Sequence, residues 1–238
     1  MKKATVAVLV AVLLTSGLFV GCGAIVTGSG NLETEIFDFS DFTKIEAQNG
    51  FQVELTQSSA YSIEITADDN VQEYIEVTKS GDTLRIRLTG FRYYNSVTLE
   101  AKITMPDIYG INLSGGSQAD ITGFNSRHDL SVELSGGSRL NGDITADDAE
   151  FDLSGGSRVE LVGSADDLSV NSSGGSQLLL EDYAVDDADI NISGGGRATV
   201  NIDGSLDVNL SDGSRVLYTG NPTEIDSTLS GGSSINSK

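Results

Sequence analysis

The chain of 238 residues carries 35 Asp and Glu against 14 Lys and Arg, a formal net charge of −21, with one cysteine and no tryptophan. That balance argues against nucleic acid or an anionic bilayer surface as partner of the folded body, because both would be repelled. A single cysteine excludes a disulfide framework, so an apolar core must hold the fold.

Met1-Lys2-Lys3 precedes the apolar run Ala4–Leu14 and then TSGLFVGC, which ends on Cys22. A short basic start, an apolar core too short to span a bilayer and small residues after it make a secretory signal over residues 1–21. Gly21-Cys22 is similar to a bacterial lipobox, in which the cysteine is diacylated and becomes the first mature residue. Phe19 departs from the leucine usual three residues earlier. The alternative is an ordinary signal peptide followed by a stray thiol. On the lipid reading Cys22 is the lipidation site, residues 22–33 form a flexible tether and residues 34–238 form the body. The protein is then exported and lipid-anchored to the bacterial cell envelope, at the outer membrane if the organism has one. Two or more acyl chains give stable attachment.

Residues 34–110 read as N-terminal strands that cap or begin a stack. FQVEL, YSIEIT, YIEVT, TLRIRL and VTLEAKITM alternate polar with apolar residues, and Ser80-Gly81-Asp82 is a hairpin turn.

Residues 111–238 carry a repeat. SGGS occurs at Ser114, Ser135, Ser154, Ser173 and Ser230, with SGGG at Ser193 and SDGS at Ser211; successive starts are 21, 19, 19, 20, 18 and 19 residues apart. Before each tetrad the apolar residues alternate, as in Leu130, Val132 and Leu134, and a second short apolar piece follows. A period near 19 with a strand on each side of a Gly-Gly joint predicts an all-β parallel β-solenoid, with equivalent residues stacked at about 4.8 Å. The glycines turn the corner through positive φ and leave room for the next coil. The flanking serines are expected to point away from the core. As a nucleophile motif the tetrad is weak, since it lacks a G-x-S-x-G elbow and His128 is the one histidine.

Stacking converts sequence positions into columns. Asp129, Asp148, Asp167, Asp187, Ser205 and Glu224 form an acidic column, in which Asp148, Asp167 and Asp187 are the candidates for Ca²⁺. A solvated acidic face is the favoured reading, because the Asp-rich nonapeptide of calcium β-rolls is missing. Gln118, Arg139, Arg158, Gln177, Arg197 and Arg215 form a second column, either a wet face paired with nearby acids or a strip for an anionic polymer. Phe91–Tyr94 (FRYY) is the densest aromatic cluster and reads as edge or cap packing, and His128 as a loop residue. The Asn-x-Ser matches at Asn112, Asn171, Asn191 and Asn209 read as by-products of the repeat.

The stretches FTKIEAQNGFQVELTQSSAYSIEITADDNVQEYIEVTKSGDTLRIRL (Phe42–Leu88) and ITMPDIYGINLSGGSQADI (Ile103–Ile121), with the tetrads, resemble the family called putative auto-transporter adhesin, head GIN domain. The resemblance covers about residues 34–238. Gln48 and Asn49 stand where small residues are commoner, which reads as a local turn difference. It implies a secreted or lipid-anchored bacterial protein with a β-helical body, and it brings no catalytic residues. The expected function is a non-catalytic envelope module, an adhesin or scaffold that binds glycan or another surface protein. No cofactor is expected. The alternative is a β-helix protein that binds or cleaves polysaccharide, which would need a carboxylate pair on loops that break the repeat.

Overall fold

A computed structural model describes residues 25–90 and 92–238, so Cys22 and the expected signal lie outside the described residues. The first strands are β1 (Ile25–Thr27), β2 (Leu32–Ile36), β3 (Lys44–Ala47), β4 (Gln52–Gln57) and β5 (Ser62–Asp68). A 3-10 turn over Gln72–Tyr74 leads to β6 (Ile75–Ser80), β7 (Thr83–Leu88), β8 (Tyr93–Asn95) and β9 (Leu99–Met105). Then come β10 (Gly110–Leu113), β11 (Gln118–Asn125), β12 (Leu130–Leu134), β13 (Arg139–Thr145), β14 (Ala149–Leu153) and β15 (Arg158–Ser172). The chain continues through β16 (Gln177–Ile192), β17 (Arg197–Ile202), β18 (Ser205–Leu210), β19 (Arg215–Gly220), β20 (Glu224–Leu229) and β21 (Ser234–Ser237).

Two columns of parallel strands run through the molecule. In one, β7, β3, β10, β12 and β14 lie side by side, followed by the second halves of β15 and β16, then β18 and β20. In the other, β9, β4, β11 and β13 are followed by the first halves of β15 and β16, then β17, β19 and β21. This is the expected parallel β-solenoid. Rows of like residues face inward along it. One row is Leu84, Ile45, Ile111, Val132, Phe151, Val170, Ile190 and Val208, every member buried. No coil could bury such a face alone, so stacking creates the core.

The tetrad corner is a tight turn. At Ser154–Ser157 both glycines have positive φ (65° and 83°), and the Ser157 N–H donates to the Ser154 carbonyl oxygen at 3.3 Å. Two consecutive positive φ values closed by that bond are the signature of a type I′ turn. The expectation that both flanking serines point outward needs correcting. Ser117, Ser138, Ser157, Ser176 and Ser214 are buried. Each hydroxyl donates to the carbonyl oxygen of the first serine of its tetrad, over 2.6–3.1 Å. An inward hydroxyl is tolerated because the turn supplies its acceptor. The spread in repeat length is absorbed elsewhere, at register shifts between Ile121 and Phe124, Glu160 and Gly163, and Leu180 and Ala184.

Residues 34–110 both begin the stack and cap it, as expected, while three details of the first half differ from the sequence reading. Parallel stacking begins well before residue 111: Gln48-Asn49-Gly50-Phe51 joins β3 to β4 with φ of 65° at Asn49 and 85° at Gly50, matching 64° and 81° at Gly115 and Gly116. Asn tolerates this backbone region, so QNGF is the same corner without serines rather than a local difference. Next, β7 and β9 lie beneath β3 and β4 although they follow them in the chain. Beyond them β6, β5 and β2 pair antiparallel, with Ser80 opposite Thr83 at the expected hairpin, and these strands cover the open parallel edge.

The third difference concerns the expected tether, whose described part is docked. β1 pairs with β8 and β2 pairs with β5. Asp68, 1% exposed, accepts the N–H groups of Thr98 and Gly30 at 2.7 Å each. Those two donors hold its carboxyl below the usual carboxylate range.

Candidate functional site

Stacking gives the first column of strands an outward face with a regular chemical pattern. Two positions before the first six tetrads stand Asn112, Glu133, Asp152, Asn171, Asn191 and Asn209, aligned by register into one ladder. This ladder and the first serines of the tetrads line a groove of about 670 Å³ that runs along the stack. The Asn112 amide donates to Glu133 at 2.6 Å and the Asn191 amide to Asp189 at 2.9 Å. Asn171 and Asn209 make no side-chain hydrogen bond among the described residues and are exposed. Asn112, Asn171, Asn191 and Asn209 stand at one offset from their tetrads, so the repeat itself aligns them on this face.

A second groove, of about 720 Å³, lies on the other border of the same face, between the acidic column and a row containing Ser131, Glu150, Ser169, Asp189 and Asp207. Asp148, Asp167 and Asp187 do stack: Asp167 is in register with Asp187, and the Asp167 N–H donates to the Asp148 carboxylate at 3.2 Å. The Asp187 carboxylate accepts the Ser205 N–H at 2.6 Å and hydroxyl at 2.8 Å. Two of the candidate Ca²⁺ carboxylates therefore bracket the next coil's backbone. Among the described residues no group of three or more His, Cys, Asp or Glu could hold a metal ion.

Asp167 and Asp187, in register with each other, are shifted in opposite directions. Desolvation, then the charges of Asp148 and Asp187, push the Asp167 carboxyl up, whereas the Ser205 N–H and hydroxyl pull Asp187 down.

The arginine column lies across the tetrad corner, on the second column of strands. Arg158 donates to Gln177 at 2.9 Å and to Glu160 at 2.8 Å. Arg139, Arg197 and Arg215 form no ion pair among the described residues. Within FRYY, Phe91 lies outside the described residues; the Arg92 guanidinium stands 4.0 Å from the centre of the Tyr74 ring, and Tyr94 packs beside Tyr74. His128 is a loop residue, its ring 4.5 Å from that of Tyr109 and its Nε2 3.8 Å from Asp107.

A family model described as putative auto-transporter adhesin, head GIN domain, matches residues 41–222. Among solved structures, a putative adhesin from Bacteroides fragilis is 22% identical with a TM-score of 0.83, over 90% of this chain and 100% of that one. A putative lipid binding protein from Parabacteroides distasonis is also 22% identical, with a TM-score of 0.72, over 90% and 99% of the two chains. A putative adhesin from Parabacteroides merdae is 18% identical with a TM-score of 0.66, over 91% and 100%. At such identities the likeness establishes the fold. No curated protein matches the chain.

Proposed function

The chain belongs to the putative auto-transporter adhesin, head GIN domain family, and from that premise we propose that it is a non-catalytic interaction module of the bacterial cell envelope. Lipid on Cys22 holds it at the membrane, and the face bearing the two grooves binds a partner. The observation that carries this reading is the ladder of Asn112, Glu133, Asp152, Asn171, Asn191 and Asn209 beside the serine corners, one polar group per coil along a continuous groove. A row of amides, carboxylates and hydroxyls repeating at about 4.8 Å suits a linear polymer whose own donors and acceptors repeat on a similar scale. A polysaccharide meets that description, since its hydroxyls both donate and accept. The corners beside the groove are short and uniform, which favours adhesion over cleavage.

A glycan array probed with the body and with an Asn171→Ala/Asn191→Ala/Asn209→Ala variant tests the reading, with a depolymerisation assay on every glycan that binds. Binding that the triple variant loses at least tenfold, without chain cleavage, supports it. Equal binding by both proteins sinks the groove assignment, and cleavage sinks the non-catalytic one. Cys22→Ala should move the protein from the membrane to the soluble fraction; retention in the membrane sinks the anchor.

A further inference from the structure

We propose that the end of the stack built from β1, β2 and β8 is a seat for a lipid bilayer surface, an inference that rests on the lipid reading of Cys22. Large apolar side chains exposed among the described residues include Ile25 at 71%, Leu32 at 53%, Ile36 at 74% and Tyr93 at 69%. Ile25 and Tyr93 are register partners across the β1–β8 pair. Leu32 and Ile36, four residues apart in one strand, project from the same face of β2, while Glu33 and Glu35 take the other. β2 pairs with β5 alone among the described residues, so it forms the edge of its sheet.

Both apolar pairs are tied to one turn. The Gly30 N–H donates to Asp68, the Asp69 N–H to the Asn31 carbonyl oxygen, and the Asn70 side-chain amide to the Thr27 carbonyl oxygen. The turn thus links the β1–β8 pair to the start of β2, with Leu32 opposite Asp68 and Ile36 opposite Glu64 on β5.

Chain length supplies the occupant. Cys22 stands three residues before Ile25, and an extended chain spans at most about 3.6 Å per residue. A lipid on Cys22 therefore holds Ile25 within roughly 11 Å of the anchored sulfur. Apolar side chains of interfacial proteins sink about 5–10 Å into the headgroup region, and tyrosine favours that depth. Ile25 and its register partner Tyr93 thus lie within reach of the interface as soon as the anchor inserts.

The chain has no tryptophan and one cysteine, which makes the test direct. Tyr93→Trp places a single fluorophore in the seat, and Tyr218→Trp, on β19, is the control. Each processed variant is reconstituted in phosphatidylcholine vesicles with and without brominated acyl chains. In a parallel arm, the Cys22 thiol of unlipidated protein is coupled to a maleimide-headgroup lipid, so that failure of natural lipidation is seen separately from failure of the seat. The expected result in the coupled arm is a blue shift and at least twofold quenching for the Tyr93→Trp protein, with neither for the Tyr218→Trp protein. Adding Leu32→Ser and Ile36→Ser, both at exposed positions, should cut the quenching by more than half. Emission unchanged by bromolipid, or equal quenching of both proteins, overturns the proposal. So does a blue shift without vesicles that grows with protein concentration, which assigns the patch to a second copy.

Discussion

Gly155 sits over Gly136 so closely that a β-carbon on Gly155 would stand 3.1 Å from the Gly136 amide nitrogen, whereas one on Gly156 would meet nothing within 4 Å. The two glycines of one corner are therefore constrained differently. Gly156 is glycine for its φ of 83° alone; Gly155 adds to its φ of 65° a close approach to the coil before it. Gly156→Asn should cost within about 1 kcal/mol, because Asn tolerates the left-handed region. Gly155→Val should cost more than about 2 kcal/mol through strain and contact together. Urea unfolding of the two variants decides this, and equal losses would refute the stacking argument.

The inward serine should matter more than the outward one. Ser157→Ala removes a buried hydroxyl bonded at 2.6 Å and should cost about 1 kcal/mol. Ser154→Ala, at a half-buried position, should stay within about 0.5 kcal/mol. Restoring the consensus at Gly196 should fail, because a β-carbon there would stand 2.7 Å from Cγ2 of Ile192. We expect Gly196→Ser to destabilise alone and to be rescued by Ile192→Leu, the residue found at the equivalent place in five of the tetrads (Leu113, Leu134, Leu153, Leu210 and Leu229). A double-mutant cycle without coupling would show that the two do not meet.

The acidic column predicts opposite pH effects at neighbouring carboxylates. Asp167 has a folded pKa above its unfolded one, so the native state binds more protons. Its contribution is favourable below the ordinary aspartate range and lost as pH rises through the raised pKa. Asp187 has a lowered folded pKa, so its contribution is present above that range and lost as pH falls through the lowered pKa. At pH 7, Asp167→Asn should raise Tm and Asp187→Asn should lower it, with both differences shrinking toward pH 3. Calorimetry across that range checks the signs, and shifts of the same sign would contradict the assignment.

Tyr183 is fully buried, and its hydroxyl has no hydrogen-bond partner among the described residues. Burial pushes its pKa upward. Removing an unsatisfied buried hydroxyl recovers a desolvation cost, so Tyr183→Phe should stabilise the fold by about 1 kcal/mol. A loss of stability in chemical denaturation would mean that the hydroxyl does have a partner.

The repeat alone determined the solenoid, the corner glycines and the stacking of Asp148, Asp167 and Asp187, because each coil meets a near-copy of itself. Translation along the stack turns a sequence offset directly into a column. Only the tertiary structure decided what breaks that symmetry. The two serines of a tetrad look alike in the sequence, but the hand of the turn sends the second one inward. Gln48-Asn49-Gly50-Phe51 became a corner because β3 pairs with β10, and β7 and β9 came to lie beneath earlier strands through pairings with β3 and β4. Asp187 parted from Asp167 because Ser205, in the next coil, offers both an N–H and a hydroxyl. The exposed apolar residues of β1, β2 and β8 were brought to their places only when β1 found β8 and β2 found β5. The QNGF corner, the strand order and the docking of β1 and β2 rest on contacts between residues far apart in the chain. The inward serine and Asp187 rest on side-chain geometry within one corner and between adjacent coils. A pattern repeating every 19 or so residues encodes neither.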